Sequence, residues 1–182
     1  MRIAKESHDG GAFMDVITPC LLIPGSALIV NSKHRRITTM KSLVIYSSKH
    51  HMNTEKTAMA IAAELGAEVR KLAEVRQEDL DGPALVGFGS GINGFTVHPE
   101  LSAFLKKVAP RKGQKAFVFS TCASNKDWTS KFRMLLAAKG FDVVGEFHCS
   151  GLWTPLFFKI RSGHPDKNDI ESARSFARSL PR

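Results

Sequence analysis

Cysteine is scarce in this chain: Cys20, Cys122 and Cys149 are odd in number, widely spaced and without a CxxC pair. That pattern argues against a disulfide framework and a structural zinc site. It suits a reducing compartment, so a cytoplasmic location is expected. Long apolar runs are missing too. The apolar stretch 16–30 is broken by Pro24-Gly25 and is too short and interrupted for a membrane-spanning helix. Asp15 flanks it and no small-x-small cleavage site follows, so it also makes a poor signal peptide. Internal repeats and low-complexity segments are absent.

Positive charge is abundant, with a formal net charge of +9 and a pI near 9.7. Yet Lys41, Lys56, Arg70, Lys106, Lys115, Lys131 and Lys159 are dispersed, often beside acids, with no aromatic-interleaved basic stripe and no finger motif. Specific nucleic-acid reading is not expected; attraction of acidic partners is. The 43% hydrophobic and 24% charged composition is that of a folded globular domain, and 182 residues suffice for a real core.

Residues 1–39 differ in character from the rest, combining HDGG, two prolines and a basic SKHRR run. Met40 then opens directly onto an apolar run, as a fresh start would. The expectation is one domain over 40–182, with 1–39 a disordered leader or a mis-assigned start.

From Met40 the pattern is regular. Apolar runs of strand length at 42–47, 84–89, 115–121 and 141–150, with a short alternating strand at 67–72, number five strands. Helical spacing occupies 54–65, 98–109, 127–140 and 168–180, punctuated by Gly66, Pro110 and Gly140, with Asn168 as N-cap of the last. Strands alternating with helices, each strand buried on both faces, predict a three-layer α/β fold. Its parallel sheet, in the order 2-1-3-4-5, carries a ligand crevice at the carboxyl ends of strands one, three and four.

Three loops reach that crevice. The first, within YSSKHHMNTEKTA (46–58), offers hydroxyls at Ser47, Ser48 and Thr54 and an amide at Asn53, beside a helix N-terminus. Donors converging on the positive end of a helix dipole form a phosphate cradle; a plain N-cap needs just one such residue. His51, next to His50, is placed to balance phosphate charge, whereas a metal would need a third ligand at better spacing. The second loop, GFGSGINGF (87–95), mimics a dinucleotide fingerprint but follows the third strand rather than the first. The third, STCASNKDW (120–128), holds Cys122 at a strand-loop-helix junction. A phosphatase loop would require Cys-x5-Arg, and Trp128 stands at that spacing. Strands one and three end in Ser and Gly, which excludes a response regulator's aspartates.

The run LVIYSSKHHMNTEKTAMAIAAEL resembles the FMN-phosphate signature of the flavodoxins, and the likeness extends over nearly all of 41–180 through GFGSGI, KAFVFST and GFDVVGEFHCSG. Met52 stands where that family usually has glycine, so a positive φ there would strain the loop. The resemblance implies a flavodoxin-like fold that binds FMN and transfers electrons to redox partner proteins. It implies phosphate contacts at Ser47, Ser48, His51, Asn53 and Thr54. Ring contacts follow at Ser90, Gly91, Ile92, Asn93 and Phe95, with Thr121, Cys122 and Ala123 at the pyrimidine edge. Trp128 and Trp153 are further aromatics near the flavin or in the core. The alternatives are an FMN-dependent oxidoreductase of quinone or protoporphyrinogen type, and a flavin-free binding module on the same fold.

Overall fold

The computed structural model describes residues 41–49, 52–123, 126–151 and 163–181. The expected leader 1–39, His50, His51 and Trp153 lie outside them. Strand β1 (Ser42–Ser47) leads into α1 (Asn53–Leu65), which Gly66 closes at φ 61, followed by β2 (Glu68–Lys71). After two 3-10 turns come β3 (Leu85–Asn93), the two-residue β4 (Thr96–Val97), α2 (Pro99–Lys107) and β5 (Lys115–Cys122). The chain ends with α3 (Ser130–Ala138), β6 (Asp142–Ser150) and α4 (Lys167–Ser179).

The sheet runs β2-β1-β3-β5-β6, all parallel, and β4 pairs antiparallel with β3. This is the expected order with one strand added. The apolar runs of β1, β3 and β5 form the buried centre, while β2 and β6, at the two ends of the order, are partly exposed. One core layer joins Leu43, Ile45, Val86, Phe88 and Val118 to Leu101, Leu105, Phe132 and Leu136 of α2 and α3. The other joins Val44, Tyr46, Phe117 and Phe119 to Ala58, Ile61, Ala173 and Ala177 of α1 and α4. Helices thus cover both faces of the sheet, as parallel strands require.

Two local readings change. The segment 87–95 is not a loop: β3 continues to Asn93 and turns back into β4 through Gly94 and Phe95, at φ 57 and 66. Two successive positive φ values give the turn a twist that matches that of paired strands. The glycines of GFGSG also serve packing. A β-carbon at Gly87 would lie 2.3 Å from the ring of Phe117, and one at Gly89 would lie 2.0 Å from that of Phe119. They make room for aromatic rings on the neighbouring strand. The N-cap of α4 is Asp166, not Asn168: its carboxylate accepts from the backbone N–H groups of Asn168 and Asp169, and the Asp169 carboxylate accepts from the Asp166 N–H. An acceptor two positions upstream reaches the free amides of the first turn, as Asn168 inside that turn does not.

Candidate functional site

Parallel register brings the carboxyl ends of the central strands level: Ser47 lies opposite Ser90, and Gly91 opposite Thr121. Around these ends opens a cavity of about 600 Å³, within the range of small-molecule sites. Ser48, Asn53 and Thr54 line it from the first segment, Gly91, Ile92, Asn93 and Phe95 from the second, and Thr121, Cys122 and Ala123 from the third. Three stretches far apart in sequence therefore share one wall. His51 falls outside the described residues.

Ser47 and Ser90 sit at this end but are buried, and their hydroxyls serve bonds within the protein. Ser90 Oγ donates to Gly91 O at 2.6 Å and accepts from the His98 backbone N–H at 2.9 Å. Ser47 Oγ donates to Glu100 at 3.0 Å and lies 2.8 Å from His98 Nδ1. Ser47 borders a neighbouring cleft of about 460 Å³, together with Lys71, Glu100, Phe104 and Lys107.

The floor of the main cavity is tight and polar. Thr54 and Thr121 share a 2.8 Å hydroxyl–hydroxyl hydrogen bond. A methyl group added at Gly91 would meet His98 Nε2 at 3.3 Å and Thr54 Oγ1 at 3.7 Å, and one at Gly151 would meet Asn53 Nδ2 at 3.1 Å. Glycine at both positions leaves room for these neighbouring side chains to pack against the backbone. Met52 caps α1 with φ 53, in the left-handed region where a side chain costs about 1–2 kcal/mol. The strain anticipated at this position is present, and the Met52 side chain is largely exposed.

At the rim, Phe95 is 73% exposed and its ring lies 4.9 Å from that of Trp128 at a 48° tilt. The Lys126 ammonium stands 5.9 Å from the Trp128 ring centroid. Lys49 and Lys126 both line the cavity and give its border a positive character. Behind the rim, Asp127, Glu146 and His148 gather, with Arg133 bridging both carboxylates and Ser120 Oγ 2.8 Å from His148 Nδ1. Burial pushes the Asp127 carboxyl up, but the Thr129 N–H and hydroxyl and the Arg133 charge outweigh it and hold it below its ordinary value. Among the thiols, burial pushes Cys149 up to about 12, so it stays protonated. Cys122 ends β5, and α3 begins only at Ser130.

Sequence reasoning passed over His98. It sits just before α2, 51 positions beyond Ser47, and nothing local announces that its ring enters the cavity wall. The signal available was its place immediately before Pro99, at a helix start at the carboxyl end of the sheet.

No family profile matches the chain. It is 38% identical over 148 residues to the uncharacterized protein MJ0298 of Methanocaldococcus jannaschii, covering 78% of this chain and 98% of that one. Among solved structures it is similar to a flavodoxin from the domain Archaea, with a TM-score of 0.61 and 16% identity over 76% of this chain and 94% of that one. It is also similar to rubredoxin oxygen:oxidoreductase from Desulfovibrio gigas, with a TM-score of 0.60 and 18% identity over 77% of this chain. The chain spans 35% of that oxidoreductase. At these identities the structural likeness is one of fold. Among the described residues, no helix is long and apolar enough to cross a membrane.

Proposed function

Because the chain belongs to the same family as MJ0298 and has the flavodoxin-like fold, we propose that it binds FMN in the 600 Å³ cavity and carries electrons. The observation that carries this reading is the convergence of three separate segments, each ending a central strand, on a single cavity. Its polar floor lies at the start of α1 and its aromatic pair at the rim.

The residues suit such a cofactor. Ser48, Asn53 and Thr54, with the first amides of α1, form the phosphate end, where hydroxyl and N–H donors and the helix dipole favour a dianion. Gly91 to Asn93 flank the ring with backbone groups, and Phe95 and Trp128 offer flat apolar surface to its face. When bound, FMN supplies reversible electron transfer, and the protein contributes position and electrostatics. The basic border at Lys49 and Lys126 favours partners with acidic surfaces. Cys122 and Cys149 are not joined in a disulfide, which fits a cytoplasmic setting.

The test is a visible absorption spectrum of the purified chain, with FMN titrated into any colourless preparation. Stoichiometric FMN with quenched fluorescence supports the reading, and no binding at micromolar FMN overturns it.

A further inference from the structure

His98 is 5% exposed, lines the main cavity and is held by Ser47 through its ring. Nδ1 meets Ser47 Oγ at 2.8 Å, and Ser47 also bonds Glu100 Oε1 at 3.0 Å. A carboxylate only accepts, so the single Ser47 proton goes to Glu100 and Nδ1 must carry the proton it shares with Ser47. The hydrogen-bond pattern thereby fixes the tautomer of the neutral ring: Nδ1–H, with the lone pair on Nε2. That nitrogen lies 3.3 Å from where a methyl group on Gly91 would sit, a point 3.7 Å from Thr54 Oγ1, and His98, Gly91 and Thr54 all line the cavity.

The surroundings favour a proton on Nε2 once an anion is near. Glu100 Oε1 lies 3.8 Å from Nδ1. Burial pushes the Glu100 carboxyl up, but its own backbone N–H, the Lys49 ammonium at 3.2 Å and the Ser47 hydroxyl outweigh this and keep it ionised. Lys49 opposes a second positive charge. Thr54 from α1, Ser90 from β3 and Thr121 from β5 are uncharged, and Lys126 and the Cys122 thiol line the same cavity. Among the described residues, one carboxylate stands against one nearby ammonium, which leaves the ring poised so that an incoming phosphate decides its state.

The geometry points to His98 as a proton-accepting anchor for a phosphate monoester. Its Nε2 takes up one proton as the phosphate settles beside Thr54 and the start of α1, while Ser47 and Glu100 hold the ring in place from behind. This rests on the FMN reading of the cavity and adds a buried, titrating cation to its phosphate end. Affinity for FMN is then greatest where His98 is protonated and falls as pH rises. Riboflavin, which has the same ring and no phosphate, lacks that dependence.

The experiment is fluorescence titration of FMN and of riboflavin from about pH 6.5 to 8.5, where a phosphate monoester is already mainly a dianion. For the wild type, FMN affinity should drop with rising pH by up to about tenfold per unit, the limit for one linked proton, while riboflavin stays flat. In His98→Gln the FMN slope should vanish. Should that variant fold poorly by circular dichroism, Ser47→Ala keeps the imidazole but cuts its link to Glu100, and the slope should move to lower pH. A flat FMN profile in the wild type, or a slope that survives His98→Gln, overturns the anchor while leaving FMN binding intact. If FMN does not bind at any pH, the FMN reading fails, and inorganic phosphate decides for His98. A phosphate-dependent shift of its ring Cε1 proton by NMR supports the anchor, and no shift overturns it.

Discussion

Phe95 holds a left-handed backbone conformation at the tip of the β3–β4 hairpin, and its ring rests against Trp128 from a different loop. Exposure of a large apolar ring and a strained φ both cost free energy, and they coincide at the mouth of the cavity. If the ring packs on a bound flavin, Phe95→Ala should weaken FMN by roughly 2–10-fold, the worth of one aromatic contact. It should barely change stability toward urea. Equal FMN affinity in the variant would assign Phe95 to holding Trp128 alone.

Gly89 faces the buried ring of Phe119 across the strand pair. Gly89→Ala forces that ring aside in a filled core and should destabilise the fold by about 1–3 kcal/mol. The measurement is the urea midpoint, with Gly82→Ala as control, since a methyl group there meets nothing within 4 Å. Similar midpoints for the two variants would refute the packing role.

Thr54 and Thr121 exchange one buried hydrogen bond. Thr54→Val leaves the Thr121 hydroxyl without that partner and should cost about 1–3 kcal/mol; the double change to valine should recover part of the loss. Both variants should bind FMN less tightly than the wild type if Thr54 Oγ1 donates to phosphate. Strictly additive stabilities would show that the two hydroxyls are not coupled.

Asp127 has its carboxyl held below the ordinary carboxylate range. A depressed native value means the unfolded chain binds the proton more readily. The stability Asp127 contributes is therefore present above the ordinary range and lost as pH falls through the native value. Asp127→Asn should lower the urea midpoint at neutral pH and flatten its decline in acid. Its exposure keeps the effect modest. An unchanged acid limb would show that the Thr129 and Arg133 contacts carry no net stability.

What the sequence determined by itself was the architecture. The apolar runs at 42–47 and 115–121, the helical spacing of 54–65 and the stop at Gly66 are local signals, because periodicity and chain punctuation act over a few residues. They were enough for the strand order, and for placing Asn53, Gly91 and Thr121 at one end of the sheet. The tertiary structure alone decided what happens between segments. Whether GSGIN is loop or strand depends on the pairing of Gly89, Ser90 and Gly91 with β5 and of Ile92 and Asn93 with Thr96–Val97 across a turn, and Gly87 and Gly89 take their meaning from Phe117 and Phe119. Ser47 and Ser90 turn to inner partners because His98 and Glu100 arrive from the start of α2. Contacts of that kind leave no periodic trace, since they are set by the register of strands and the packing of helices rather than by neighbours along the chain.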